Sequence, residues 1–294
     1  MAKVLIVGCG DIGERVARRL LAADHEVLGW VRSQESAARL QHAGIAALSL
    51  DLDQNPELAD ERLSYQRILY LAPPQPAGES DQRLQRLLDA LPGQGIERFV
   101  YISTSGVYGD CEGAWVDESW PAKPQTARAK RRWQAEQILT AWAQAQQVSQ
   151  AVLRVPGIYG PARLPLERLR RGAPLVHPEQ APYSNRIHAD DLASVCLAAL
   201  APEAPTGVFN CCDDQPTTMT DYFLRIAEYV GLPQPRFIDL SEAEAELGPA
   251  MASFLAESRR MRNQRLHDEL GVRLQYPDLD AGLSAIFAAD PNYA

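Results

Sequence analysis

The sequence predicts an α/β fold, a parallel sheet wound on both faces by helices. Two observations predict it. Short apolar runs alternate with segments that carry apolar residues at helical spacing. A glycine-rich turn, Gly8-Cys9-Gly10-Asp11-Ile12-Gly13, joins the first run to the first helical segment.

The elements follow in order. Residues 3–7 form a valine- and isoleucine-rich run, as in a strand buried on both faces. Residues 14–23 place Val16, Ala17, Leu20 and Leu21 on one helical face. A second strand is expected over 26–31. A helix over 34–43 ends at Gly44, and a third strand over 45–50 closes on Asp51. A fourth strand, 67–72, is stopped by Pro73-Pro74. Helices over 80–91 and 125–147 and strands over 98–103 and 150–155 complete the alternation. This is the pattern of a Rossmann sheet. Near residue 156 the rhythm breaks: prolines become frequent and segments shorten. The expected division is a dinucleotide domain over 1–160, rejoined by 186–212, and a smaller substrate part from 161–185 and 213–294.

Composition bounds the partners. The chain has 294 residues and a formal net charge of −9, which disfavours nucleic acid and anionic membrane. No run of eighteen apolar residues occurs, so no membrane span is expected. The opening apolar run is too short for a signal segment. The five cysteines fit neither a disulfide framework nor a metal-ligand spacing. A cytoplasmic protein without a metal centre is expected.

The glycine turn points to a dinucleotide, NAD(P)(H). Gly8 permits the tight turn, Gly10 lets backbone approach a pyrophosphate, and Gly13 lets the helix pack closely on the strand. Asp11, Ile12 and Gly13 then present N–H groups and the positive helix end to phosphate. The second strand ends Trp30-Val31-Arg32-Ser33, with no carboxylate for the ribose hydroxyls. Arg32 suits a 2′-phosphate, which favours NADP with NAD as the alternative. Asp51 is a candidate partner for the adenine amino group, or a cap for the next segment.

Four further segments resemble the extended short-chain dehydrogenases/reductases, the NAD-dependent epimerase/dehydratase group. They are YISTSGVYG from Tyr101 to Gly109, LRVPGIYGP from Leu153 to Pro161, NRIHADD from Asn185 to Asp191, and GVFNCCDD from Gly207 to Asp214. The resemblance implies further cofactor contacts at the strand ends, on Ser33, Leu52, Leu71, Ala72, Pro73, Ser103 and Pro156. It makes Thr104 the residue that hydrogen-bonds a substrate oxygen, with Ser105 beside it. It also implies a homodimer, through helices 80–91 and 125–147 with their Trp133 and Trp142.

That family's chemistry rests on a Tyr-x-x-x-Lys pair, whose four-residue step puts both side chains on one helix face. Here the pair falls on Arg128 and Arg132, or one register away on Thr126 and Lys130, and residues 122–134 contain no tyrosine. Arginine stays protonated and is a poor proton donor, so both arginines are candidates to bind ribose or an anion rather than to move a proton. The alternative is a solvated basic helix face. His188, beside Arg186 and Asp190, is a candidate replacement acid or a structural histidine. His177 reads as a loop residue. Tyr108 and Tyr159 read as packed tyrosines with satisfied hydroxyls. The expected function is hydride transfer on a small polar substrate, sugar-like or anionic. The alternative is a cofactor-loaded sensor without turnover.

Overall fold

The computed structural model describes residues 1–54, 65–91 and 94–289. Residues 290–294, the end of the expected substrate part, lie outside them. Seven parallel strands form the central sheet: β1 (Lys3–Val7), β2 (Glu26–Val31), β3 (Ala46–Ser49), β4 (Arg67–Tyr70), β5 (Arg98–Thr104), β6 (Ser149–Val155) and β7 (Gly207–Asn210). Their order is β3-β2-β1-β4-β5-β6-β7. The order reverses between β1 and β4. Ligands of such sheets bind in the crevice at that switch point, beyond the strands' carboxyl ends.

Helices α1 (Asp11–Ala22), α2 (Gln34–His42) and α5 (Ala189–Ala199) cover one face, and α3 (Gln82–Ala90) and α4 (Ala127–Gln146) the other. Alternate residues of β5 serve the two layers. Val100 packs toward α1 and α5, whereas Phe99 and Tyr101 pack toward α3 and α4. A buried ion pair, Arg154 to Glu136 at 2.8 Å, ties β6 to α4. Arg98 enters the core without a carboxylate. It donates to the carbonyls of Ala199, Ala204 and Pro205 at 2.8, 2.8 and 2.9 Å, so each of its nitrogens is satisfied.

The remaining chain is built from two-residue and three-residue strand pairs. Residues 157–159 pair with 186–188, 175–176 with 237–238, and 183–184 with 217–218. A separate apolar cluster gathers there around Tyr222, Phe223, Ile226 and Leu283, from helices α6 (Met219–Tyr229) and α7 (Leu279–Ala289). Among the described residues no helix is long and apolar enough to cross a membrane.

Candidate functional site

The glycine turn divides its labour among three residues. Gly8 has φ +81°, and a Cβ there would lie 2.5 Å from the Ala72 backbone nitrogen, so only glycine fits. Its N–H and that of Cys9 both donate to the Trp30 carbonyl at 2.9 Å, which fastens the turn to β2. At Gly13 a Cβ would stand 3.1 Å from both Ile6 Cγ2 and Leu71 Cδ1, the closeness of α1 to the sheet. Gly10 is different. The nearest atom to a Cβ there is its own turn's Gly8 oxygen, 4.0 Å away. The space in front of Gly10 is open, and α1 begins there with no side-chain cap. Uncapped N–H groups and the positive helix end thus face open space, as a pyrophosphate requires. Burial pushes the Cys9 thiol up to about 12, so it is an inert packing group.

Asp11 offers backbone rather than carboxylate. Its two oxygens accept from Arg15 Nε at 2.9 Å and from Arg163 Nε at 2.8 Å. Burial works against the charge, but the hydrogen bonds from Arg163 and Arg15 outweigh it and hold the carboxyl below its ordinary range. Ile12 is buried against the sheet.

Beyond the turn, a cavity of about 200 Å³ is lined by Gly8, Trp30, Arg32, Asp51, Leu52, Ala72 and Pro73. Five of the expected cofactor contacts thus join Gly8 around one space. Arg32 lies exposed at its mouth. Arg83 closes one wall, donating to Asp53 at 2.7 Å and to the Pro73 carbonyl at 2.9 Å. That pairing holds the Asp53 carboxyl below its ordinary range. Asp51 spends one oxygen on the Asp53 N–H at 3.0 Å, the local cap foreseen as its alternative role. Ser33 caps α2, accepting from Ser36 N at 3.2 Å, so its hydroxyl is committed. Ser103 likewise donates its hydroxyl to Glu136 beneath the sheet. Only the backbone of Ser103 faces the strand end. Leu71 donates its N–H to Val7 and packs beneath the turn.

A second cavity, of about 280 Å³, brings together Thr104, Ser105, Arg128 and Pro156. Thr104 ends β5 and accepts from Gly106 N at 3.2 Å. A Cβ on Gly106 would lie at ordinary contact distance from both Ala129 Cβ, 3.5 Å, and Thr104 Oγ1, 3.6 Å, so this turn sits between α4 and Thr104. Arg128 stacks on the Phe254 ring at 3.8 Å and donates to Ser253 at 3.3 Å. One turn on, Arg132 reaches the end of β5, with Nη1 3.1 Å from the Tyr101 hydroxyl and 2.9 Å from the Ile102 carbonyl, and 3.5 Å from the Ala72 carbonyl just after β4. Burial depresses its pKa, yet the Tyr101 hydroxyl outweighs that and keeps it above the usual arginine value. In the other register, Thr126 caps α4 and Lys130 is exposed. The helix therefore presents Arg128 and Arg132 to the strand ends.

The histidines and the two motif tyrosines stand apart from the cavity. His188 is 2% exposed, caps α5 and lies 4.0 Å from the Tyr276 ring. Burial pushes its pKa down, which favours the neutral, structural form. His177 stacks on Phe237. Tyr108 donates to Asn210 at 2.8 Å and Tyr159 to the Asp278 carbonyl at 3.3 Å, both buried.

Three charged residues outside the expected site residues also line the second cavity: Arg186, Glu257 and Arg259. Glu257 is 7% exposed. Its Oε2 accepts from Arg259 Nη1 and Nη2 at 2.9 and 2.8 Å, whereas Oε1 is buried with no partner among the described residues. Glu257 and Arg259 arrive from the segment after residue 255, far along the chain from β5. Arg186 lies inside the NRIHADD segment, beside His188.

Fold and site together define a class: a doubly wound α/β protein whose dinucleotide cradle opens beside an arginine-rich cavity. The chain belongs to the NAD dependent epimerase/dehydratase family, whose profile matches residues 4–212. It is 26% identical over 290 residues to Protein YeeZ of Escherichia coli K12, covering 95% of this chain and 97% of that one. Among solved structures it is similar to a conserved protein of unknown function from Silicibacter pomeroyi DSS. That pair has TM-score 0.86 and 33% identity, with 98% of this chain and 99% of the other covered. It also shares its fold with the UDP-glucuronic acid 4-epimerase of Bacillus cereus, solved with UDP-glucuronic acid and NAD. There the TM-score is 0.78 at 18% identity, covering 97% and 98% of the two chains. A nicotinamide dinucleotide is the cofactor class that this family's glycine turn serves.

Proposed function

We propose that the protein is an NADP(H)-preferring oxidoreductase that acts on a small polar substrate held beside Thr104. The observation that carries this reading is that Thr104 and Arg128 line one cavity at the carboxyl end of β5, while Arg132, one turn along α4, bonds the carbonyls of Ile102 and of Ala72, the residue that lies against Gly8. When bound there, the nicotinamide supplies hydride acceptance or donation. The chain's own groups do the rest. Backbone N–H groups of Asp11, Ile12 and Gly13 hold the pyrophosphate, and Arg32 takes the 2′-phosphate. Gly8, Asp51, Leu52, Ala72 and Pro73 line the adenosine end. Arg132 holds ribose hydroxyls, and the backbones of Ser103 and Pro156 flank the nicotinamide.

Thr104 donates a hydrogen bond to the reacting oxygen, with Ser105 beside it. No tyrosine stands at position 128 to exchange the proton. Glu257 takes that role: Arg259 holds Oε2 and leaves Oε1 free to accept a hydroxyl proton. Arg128 offsets charge that develops on the substrate.

The test is a panel of small hydroxy and oxo compounds followed by reduced-nicotinamide absorbance, with Glu257→Gln alongside. Cofactor-dependent turnover is expected, reduced about a hundredfold in Glu257→Gln at unchanged cofactor affinity. Tight cofactor binding with no exchange on any compound favours the second reading, a cofactor-loaded sensor. One observation supports that alternative: Arg132 already spends Nη1 on Ile102 and Tyr101.

The same reading divides the chain into a dinucleotide part, 1–160 with 186–212, and a substrate part, 161–185 with 213–294. The shared sheet supports the first, and the separate cluster around Tyr222 and Leu283 the second. A homodimer through α3 and α4 and a cytoplasmic location complete the proposal.

A further inference from the structure

We propose that the second cavity is an oxyanion site, in which Arg186 and Arg128 grip the carboxylate or phosphate group of a small substrate next to the reacting carbon. This rests on the reading of that cavity as the substrate site.

Arg186 is 7% exposed and leaves the strand over 186–188 toward Gly157. A Cβ on Gly157 would stand 2.9 Å from its Nη1, so the glycine makes room for the guanidinium at the cavity wall. Its plane rests on the Tyr222 ring at 3.6 Å. Its polar edge is poorly used. Nε is buried with no partner among the described residues, and Nη2 has only Ser184 Oγ at 3.5 Å and Met219 Sδ at 3.4 Å.

The contrast with Arg98 is direct. Arg98 is fully buried, and all three of its nitrogens bond to carbonyls at 2.8–2.9 Å. Arg154 also leaves one buried nitrogen, Nη1, without a partner among the described residues, but its Nε and Nη2 reach the Glu136 carboxylate, whereas the bonds of Arg186 are the long ones to Ser184 and Met219. Leaving a buried donor unpaired is costly, and a forked oxyanion is the ligand that matches its geometry.

Charge agrees. The cavity carries Arg128, Arg186 and Arg259 against Glu257, three positive groups and one negative, for a net +2. The whole chain is −9, so the lining is a local cationic patch in an acidic protein, with the buried Asp213 carboxyl interacting with Arg186 from outside the lining. Arg128 is held by the Phe254 face and a single long bond, so it is free to turn toward a ligand. Arg128 and Arg186 line the same cavity as Thr104. The anionic group therefore lies close to the carbon whose oxygen Thr104 contacts. At about 280 Å³ the space is sized for a small acid or phosphate ester, at the lower edge of ligand pockets.

The test is calorimetric titration of the full-length protein with inorganic phosphate and, separately, glycolate. Arg186→Met, Arg128→Met and the surface control Arg171→Met are compared. At least one probe is expected to bind the unaltered protein. It should bind at least about tenfold more weakly to Arg186→Met and to Arg128→Met, and unchanged to Arg171→Met. Binding of phosphate alone assigns a phosphate ester, and of glycolate alone a carboxylic acid. If Arg186→Met does not fold, by circular dichroism, Arg128→Met on the open side carries the comparison. Failure of both probes to bind, or binding unchanged by the arginine substitutions, overturns the proposal. NADP titrated into the same samples separates the two readings. Cofactor binding without either probe removes only the oxyanion site. Probe binding without the cofactor removes the oxidoreductase reading and leaves the site.

Discussion

Gly8 and Gly10 are two steps apart and glycine for opposite reasons. At Gly8 the fold demands it, because positive φ and the Ala72 backbone leave no room for a side chain. At Gly10 the surroundings are empty, so only a ligand makes a side chain unwelcome. Gly8→Ala should therefore lower the melting temperature, with a cost of about 1–2 kcal/mol from the backbone alone and more from the clash. Gly10→Ala should melt like the parent yet bind NADP at least about tenfold more weakly, worth about 1.4 kcal/mol. Equal losses of stability in both variants would sink this division. Arg32 is argued at the same scale. It sits at the mouth of the first cavity, and the neighbouring Asp53 is paired with Arg83. Arg32→Ala should cut affinity for NADP about tenfold and leave NAD nearly unchanged. Parallel titrations of both cofactors check it, and an unchanged ratio removes the NADP preference.

Elements reach the site through their ends. α1 starts uncapped at the open space in front of Gly10, whereas α2 starts with the Ser33 cap and α4 with the Thr126 cap. A capped terminus has spent part of the donor set that an uncapped one offers. The helices are also tied to each other. Glu14 of α1 accepts from Arg39 of α2 and, at 2.8 Å, from Arg18. The Arg39 hydrogen bond chiefly, with that of Arg18, holds the Glu14 carboxyl below its ordinary range. A carboxyl with a depressed folded value stabilises fully above the unfolded value, near about 4.3. That stabilisation fades as pH falls through the folded value. Glu14→Gln should narrow the drop in melting temperature between neutral pH and about pH 3, by under about 1 kcal/mol because Arg39 is exposed. Parallel pH–melting curves for the two proteins would refute it. The alternation of runs and helical segments made these elements legible in the chain, most of them to within two or three residues. The helix start at Asp11 was set three residues late, because its first turn carries backbone function rather than an apolar stripe.

For the whole molecule, two apolar layers grip one sheet, and a third cluster holds the substrate-side segments. The tryptophans that suggested a second copy are partly used inside. Trp142 meets Phe99 edge-on at 5.9 Å, and Trp133 lies 5.6 Å from the Arg154 guanidinium. If the protein dimerises, other exposed positions of α3 and α4 must supply the interface. Sedimentation equilibrium should give twice the chain mass; a single-chain mass retires the dimer.

The geometry of the glycine turn was readable in the linear chain, since Gly8, Gly10 and Gly13 fall within six consecutive residues and the close approaches at Gly8 and Gly13 are local. So were the strand rhythm, the absence of a tyrosine at the helix position that carries Arg128, and Thr104 at the end of β5. Glu257, Arg259 and the unsatisfied edge of Arg186 were not. They come from separate stretches of the chain, and whether an arginine is a structural brace like Arg98 or an open cation like Arg186 depends on which carbonyls the fold brings to it. Nor could the linear chain tell that the hydroxyls of Ser33 and Ser103 are spent on a helix cap and on Glu136. Local chemistry is written in neighbouring residues, whereas satisfaction of a buried polar group is a property of its surroundings, and those exist only once the chain has closed around it.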